Sequence, residues 1–265
     1  MGKRAWLSLF LMLVASTALA QKAELTADQI IDKSYDHSVM NFAAATSDMT
    51  MELIKGAEIQ ETRKVRAKAL RVEEGKEELR RVLMTFVKPD DVAGAAFLSL
   101  ENPGDADDDQ FLYLPALKKV LRKGGKTGKN ESFMGTQFTY GDMESKDVTK
   151  ARHTRLADEK LGAVDCYVIE SIPNNPKDET YSKYVTWVNK QNFVPMRIKL
   201  FDLKGGLQKV MMAEKIEPID GKPTITQISM LNVQTQKATR LYLSNIDTKV
   251  ALTPADFTKE RMTKL

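Results

Sequence analysis

The sequence predicts a mainly β fold: an antiparallel meander of about ten strands joined by short turns. Three observations carry that reading. Apolar and polar residues alternate with a period of two over many separate stretches. Gly, Pro, Asn and Asp punctuate those stretches at short intervals. Only one segment, near the N-terminus, has the length and periodicity of a substantial helix.

The chain begins MGKRAWLSLFLMLVASTALAQ. Lys3 and Arg4 precede an apolar run, Ala5 to Val14, that falls short of the roughly 20 residues a bilayer demands. Ala18-Leu19-Ala20 before Gln21 has the form of a cleavage site. Residues 1–20 are therefore expected to be a cleavable secretory signal peptide, and residues 21–265 a single exported domain. No cysteine follows the cleavage site, so no acyl anchor is expected. The whole chain holds 40 basic and 36 acidic residues, a formal charge of +4. Loss of Lys3 and Arg4 leaves +2, a balance unlike that of a dedicated nucleic-acid binder. A lone thiol, Cys166, permits no internal disulfide and reads as a small buried apolar residue.

Thr26 can cap a helix with Asp28 in its first turn. Ile30, Ile31, Tyr35, Met40 and Phe42 give an apolar stripe, so the pattern predicts one amphipathic helix over residues 27–42. Period two then takes over. It runs through Met49–Leu53, Val65–Ala69 and Val82–Phe86, and an apolar, aromatic run, "QFLYLP" at 110–115, reads as a further short strand. His153 sits in a polar strand. Further strands fall at 163–171, 181–190, 193–203, 207–217, 222–233 and 237–246. Gly75, Asn174-Asn175-Pro176, Lys204-Gly205-Gly206 and Asp220-Gly221 mark turns between them. Pro115 has no N–H to donate and should end its strand. Thr253-Pro254-Ala255-Asp256 can start a short terminal turn. A sheet of this size must curl to protect its apolar face, as a barrel, a sandwich or a partial wrap.

Signatures of catalysis are missing. There is no nucleophile elbow, P-loop or dinucleotide fingerprint. His37 and His153 lack a ligand partner at helical or strand spacing and read as solvated surface residues. The acidic stretch "GDADDDQ" at 104–110 lacks the glycine and distal glutamate of a calcium loop and reads as a solvated loop. No enzyme, metal or cofactor is expected. The thirteen methionines are more informative. Seven fall on expected strands: Met49, Met51, Met84, Met196, Met211, Met212 and Met230. Methionine fits occupants of variable shape, though it fills ordinary core gaps equally well. Period two places Met49, Met51, Met84, Phe86, Met196, Ile198, Leu200, Ile228, Met230, Leu241 and Leu243 on one face, with Leu112 and Leu114 lining or bordering it. Met211 and Met212 cannot share that face without a bulge, and Trp187 could take either. A basic loop carrying Lys118, Lys119, Arg122 and Lys123 would sit at the rim.

The stretches "DQFLYLPALKKVLRK" (109–123) and "ESFMGTQFTYGDM" (131–143), with "GAVDCYVIESIP" (162–173) and "YSKYVTWVNKQNFVPMRIKLFD" (181–202), resemble the LolA-like outer-membrane lipoprotein-sorting proteins. The resemblance implies an open half-barrel of about ten to eleven antiparallel strands in meander order, with helices across the concave face. It implies a periplasmic carrier whose cavity takes acyl chains of lipoproteins or lipids. The expected partners are an inner-membrane transporter, of the resistance-nodulation-division type, and an outer-membrane acceptor; a monomer is expected. A second reading gives the same pocket to a sensor of envelope lipid or lipoprotein that regulates a signalling partner. One departure stands out. Gly141 occupies a position where the family motif is expected to carry an acidic residue, and a glycine would loosen a helical turn there.

Overall fold

The structure, a computed structural model, describes residues 24–264 except 105, 145–146 and 176–178. The expected signal peptide, residues 1–20, lies outside the described residues. The chain forms one 14-stranded antiparallel sheet. Its first arm is β1 (Ala44–Lys55), β2 (Glu58–Glu74), β3 (Glu77–Lys88), β4 (Ala96–Leu100), β5 (Asp109–Leu114) and β6 (Lys119–Lys123). Its second comprises β7 (Ala151–Arg155), β8 (Glu159–Leu161), β9 (Val164–Pro173), β10 (Lys183–Asn189), β11 (Pro195–Phe201), β12 (Leu207–Ile219), β13 (Lys222–Asn232) and β14 (Lys237–Asp247). The spatial order is β6-β5-β4-β3-β2-β1-β14-β13-β12-β11-β10-β9-β7, with β8 on β9. Two meanders thus meet where β1 pairs with β14, Met49 opposite Leu243 and Met51 opposite Leu241. The edge strands β6 and β7 do not pair, so the sheet stays open.

The turns follow their residues. Asp220 (φ 47°) and Gly221 (φ 77°) both take the left-handed region, as the tightest hairpin turn requires. Three strands are not anticipated from the sequence: β4, β6 and β8. In β4 the residues Ala96, Phe97, Leu98 and Ser99 are all buried, so no alternation exists to detect. The segment expected as a basic loop is in fact the edge strand β6. In its ladder with β5, Lys119, Leu121 and Lys123 share one face, and Val120 and Arg122 the other.

The expected long N-terminal helix is also shorter. Helix α1 covers Ala27–Ser34, opened by a capping box between Thr26 and Gln29. Ser34 turns its hydroxyl back on the Ile31 carbonyl at 2.7 Å, a local bond that competes with helix continuation. The chain goes on as two 3₁₀ turns, Tyr35–His37 and Val39–Asn41, with extended Ser38 between them. The histidines are not solvated residues. His37 is buried, and its Nδ1–H donates to the Pro223 carbonyl at 2.7 Å. The half-buried His153 bonds Ser171 Oγ and the Val148 carbonyl. Both rings serve to tie turns to strands.

Cores lie on both faces of the sheet. On one face, termed inner, the largest cluster spans β1 to β5 and β10 to β14. On the other, Leu83, Leu98 and Phe111 receive Phe257 and Met262 from the C-terminal tail, which ends in a 3₁₀ turn at Pro254–Asp256 and a short helix, Lys259–Met262. Trp187 also takes the outer side. It packs with Cys166, Val168 and Val185, donates to Glu159 at 2.8 Å and carries the Arg197 guanidinium 3.7 Å from its ring centroid. Cys166 is fully buried, and burial pushes its thiol pKa up.

Candidate functional site

The site is the inner face and what covers it. Strand alternation places every second residue there, and the register aligns them into rows. One row runs Leu112, Phe97, Met84 and Ala67 across β5, β4, β3 and β2. Another runs Ile198, Met211 and Met230 across β11, β12 and β13. Met49, Met51, Met84, Phe86, Leu112, Leu200 and Met230 are buried in this cluster, and Leu114, Ile198, Ile228, Leu241 and Leu243 pack against it. Met211 joins them, while Met212 points outward and is 36% exposed. Met196 does not join them. The register shifts between Trp187 and Val188 against Pro195, and Met196 packs instead between the Trp187 cluster and the cluster of Val194, Ala213 and Ile225.

Helix α1 covers only the β9–β10 end, where Ile30 and Ile31 pack on Ile169 and Val188. The centre is covered by residues 129–143, a segment without α-helix. Its chain doubles back at Met134 (φ 50°) and Gly135 (φ 79°). Phe133 N–H donates to the Phe138 carbonyl, and Ser132 bridges Thr139. A 3₁₀ turn at Gly141–Met143 closes it. This plug drives Phe133, Phe138 and Tyr140 into the inner cluster, with Met134 and Met143 at their edge. Phe133 meets Phe97, Phe86 and Tyr140 at centroid distances of 5.0 to 6.3 Å. Beneath it remains a recess of about 30 Å³, lined by residues including Met49, Met51, Met84, Phe138 and Leu241.

A polar seam holds the plug. Arg63, buried on β2, donates to the Met134 carbonyl while its fork grips Glu61. Gln137 N–H donates to Thr239 Oγ1 at 2.9 Å, and Gln110 Nε2 to the Tyr140 carbonyl at 3.1 Å. At the far end Asp142 Oδ2 accepts from Thr139 N–H, Thr139 Oγ1 and Tyr181 Oη. Lys209, 5% exposed on β12, donates to Tyr181 Oη at 2.9 Å and lies 3.9 Å from Asp142. Burial lowers the Lys209 pKa, and Asp142 opposes that shift. Burial, then Asp142, raises that of Tyr181. Tyr140, buried near Glu131, is pushed up to about 12.

Gly141 is a packing requirement rather than a weakness. A Cβ there would sit 2.7 Å from Thr180 Oγ1 and 3.3 Å from Lys129 Cβ and carbonyl oxygen. The acidic residue expected from the family motif has no room. Of the basic rim residues, Lys123 reaches the plug's root, 2.6 Å from Glu131 and over the Tyr140 ring. Arg122 pairs with Asp109, and Lys118 and Lys119 lie exposed at the sheet edge. A second concavity of about 290 Å³ is lined by Asp32, Glu77, Glu78, Glu101 and Asp147. Its carboxylates are unsuited to apolar chains, and among the described residues none groups to hold a metal ion. Asp108 and Asp109 of the acidic stretch are taken up by the fold; Asp108 is buried and Asp109 begins β5.

Comparison with solved structures gives counterparts to this fold. An outer-membrane lipoprotein-sorting protein domain from Vibrio parahaemolyticus is 33% identical and superposes with a TM-score of 0.80, covering 90% of this chain and 98% of that one. The chain belongs to the outer-membrane lipoprotein-sorting protein family. A DUF1329-family protein from Desulfovibrio piger is 27% identical with a TM-score of 0.80, covering 88% and 95%. A LolA-superfamily protein from Nitrosomonas europaea shares the fold at 20% identity and a TM-score of 0.69, covering 89% and 99%. A family model described as "Uncharacterized protein"-like matches residues 78–264. No curated protein matches the chain. Among the described residues, no helix of this lipoprotein-sorting family member is long and apolar enough to cross a membrane.

Sequence reasoning found the inner face but missed its occupant. The signal was present in the quoted motif 131–143. Phe133, Phe138 and Tyr140 crowd a glycine-containing stretch with no strand or helix period, a composition that makes sense only if it folds onto apolar surface. Lys209 gave no signal, because a lysine in an alternating strand reads as solvent-facing.

Proposed function

We propose that this protein binds acyl chains of lipoproteins or lipids on the inner face of its sheet and carries them through the periplasm toward the outer membrane. The observation that carries this reading is the continuous methionine-rich inner face, covered by a non-sheet segment held at its edges by polar bonds. In the described state the plug occupies the acyl site, and loading displaces it.

The energies make the exchange workable. Phe133, Met134, Phe138, Tyr140 and Met143 bury surface worth roughly 2 kcal/mol each, about 10 kcal/mol together. A chain of about 16 carbons, at about 0.8 kcal/mol per methylene, gains about 12 kcal/mol. The two nearly cancel, so cargo is held moderately and can be handed on. Methionine side chains repack around either occupant. Donation falls to an inner-membrane transporter, such as a resistance-nodulation-division exporter, and delivery to an outer-membrane acceptor. The exposed Lys118 and Lys119 on the sheet edge suit approach to anionic headgroups, at about 1 kcal/mol per basic residue.

Native mass spectrometry of protein purified from the periplasm, with lipid extraction, tests the proposal. Co-purified acyl species and uptake of a fluorescent fatty acid are expected. Protein that is empty and takes up no acyl probe would overturn it.

A further inference from the structure

We infer that the acyl ligand carries an anionic head, a phosphate or carboxylate, that takes the place of Asp142 against Lys209 and Tyr181. The inference rests on the acyl-binding reading above and narrows its substrate class.

Lys209 stands on the inner face, level with Leu200 on β11 and Asn232 on β13. It is 5% exposed. Its carboxylate partner among the described residues is Asp142, and Asp142 belongs to the plug. Arg63 and Lys209, the inner-face cations that hold the plug at its two ends, therefore fare differently when the plug leaves. Arg63 keeps Glu61, bonded at 2.6 and 3.0 Å from its own strand. Among the described residues Lys209 loses its anion and keeps Tyr181, whose ring lies 5.3 Å from Nζ and whose hydroxyl loses its own acceptor at the same moment. A cation left unpaired beside apolar groups is strongly disfavoured. A neutral acyl ligand would leave Lys209 in that condition. A ligand with an anionic oxygen restores both bonds, since that oxygen can accept from Lys209 Nζ and Tyr181 Oη together. Met230, Leu200 and Met211 flank this point in the inner cluster, so a head held here feeds its chain along the methionine rows.

The test compares hexadecyl phosphate with uncharged monopalmitoylglycerol by displacement of a fluorescent acyl probe, with inorganic phosphate alone as a third arm. Wild-type protein should bind hexadecyl phosphate at least about tenfold more tightly than monopalmitoylglycerol. Lys209→Met should collapse the ratio to about one by losing the anionic ligand, not the neutral one, and Lys209→Arg should keep most of it. Asp142→Asn, which leaves Lys209 in place, should widen the ratio and serves if Lys209→Met does not fold. Equal affinities in wild-type protein, or a ratio unmoved by both variants, would overturn the inference while leaving acyl binding intact. Failure of both acyl probes would sink the acyl reading and this inference with it. Thermal stabilisation by inorganic phosphate alone, lost in Lys209→Met, would then assign the site to a free anion rather than a lipid head.

Discussion

The ring of Phe133 meets that of Phe97 edge to face, centroids 5.0 Å apart at an interplanar angle of 79°. Phe97 belongs to β4 and Phe133 to the plug, so this contact joins cover to sheet. Both rings are about 1% exposed. Phe133→Ala should cost the empty protein about 3–5 kcal/mol. The cost should shrink when an acyl ligand has already displaced the plug. By the same linkage the variant should bind acyl probes more tightly, because the closed state competes less well. Thermal unfolding with and without saturating fatty acid checks this; an identical loss in both conditions would mean that the plug stays seated when ligand binds.

The sequence made the sheet and its inner face legible because alternation is a strong signal wherever one face is buried and the other wet. Met84 and Phe86 in β3, or Leu241 and Leu243 in β14, are assigned by period two alone. The signal fails where burial is two-sided, as in β4, and where an edge strand is basic on both faces, as in β6. Met196 was misplaced because one shift of register turns a residue away from its row. The plug was illegible as a cover, since its position depends on contacts more than 30 residues away in sequence, such as Gln137 with Thr239. The buried pairing of Lys209 with Asp142 is equally non-local. No pattern within either strand or loop announces it.

Gly141 supplies a sharp steric test of the plug's seat. Its N–H donates to the Lys129 carbonyl at 2.9 Å, and its backbone φ is not in the left-handed region. A side chain there would fail for lack of space, not for strain. Gly141→Ala should destabilise by about 1–3 kcal/mol, and Gly141→Asp by more. Thr180→Ala removes one of the two obstructing groups and should recover part of the loss in a double variant. Chemical denaturation of the four proteins gives the coupling. Additive effects would show that the loop relaxes around the new methyl group.

Acid should weaken the fold through particular carboxylates. Burial works against the charge on Asp158, but bonds from Lys190 and Arg155 outweigh it and hold its pKa below the usual carboxylate range. The Thr253 backbone N–H does the same for Asp256 despite some desolvation. Both folded pKa values lie below their unfolded values. Their contribution is therefore complete above the unfolded value, about 3.9, and is lost as pH falls through the depressed folded values. The unfolding temperature should drop between about pH 4 and pH 2. Asp158→Asn should be less stable than wild type at pH 6, by about 1 kcal/mol or less for so exposed a pair, and should converge with it near pH 2. Parallel curves would exclude the carboxylate as the cause.

The two faces of the sheet should separate stability from binding. Leu83 and Leu98 alternate with Met84 and Phe97, so neighbouring residues in β3 and β4 serve opposite cores. On the outer side Met262 is fully buried against that leucine layer, and Lys259 lies 3.8 Å from the Phe111 ring centroid. Met262→Ala opens a cavity there and should cost about 2–5 kcal/mol. It touches neither plug nor inner face, so affinity for acyl probes at 25 °C should stay within about twofold of wild type, a distant and independent site. Met84→Ala changes the inner face next door and should alter both. Isothermal titration beside thermal unfolding distinguishes them. A large affinity change in Met262→Ala would mean that the sheet transmits strain from one core to the other, and that the cover on the inner face depends on the tail behind it.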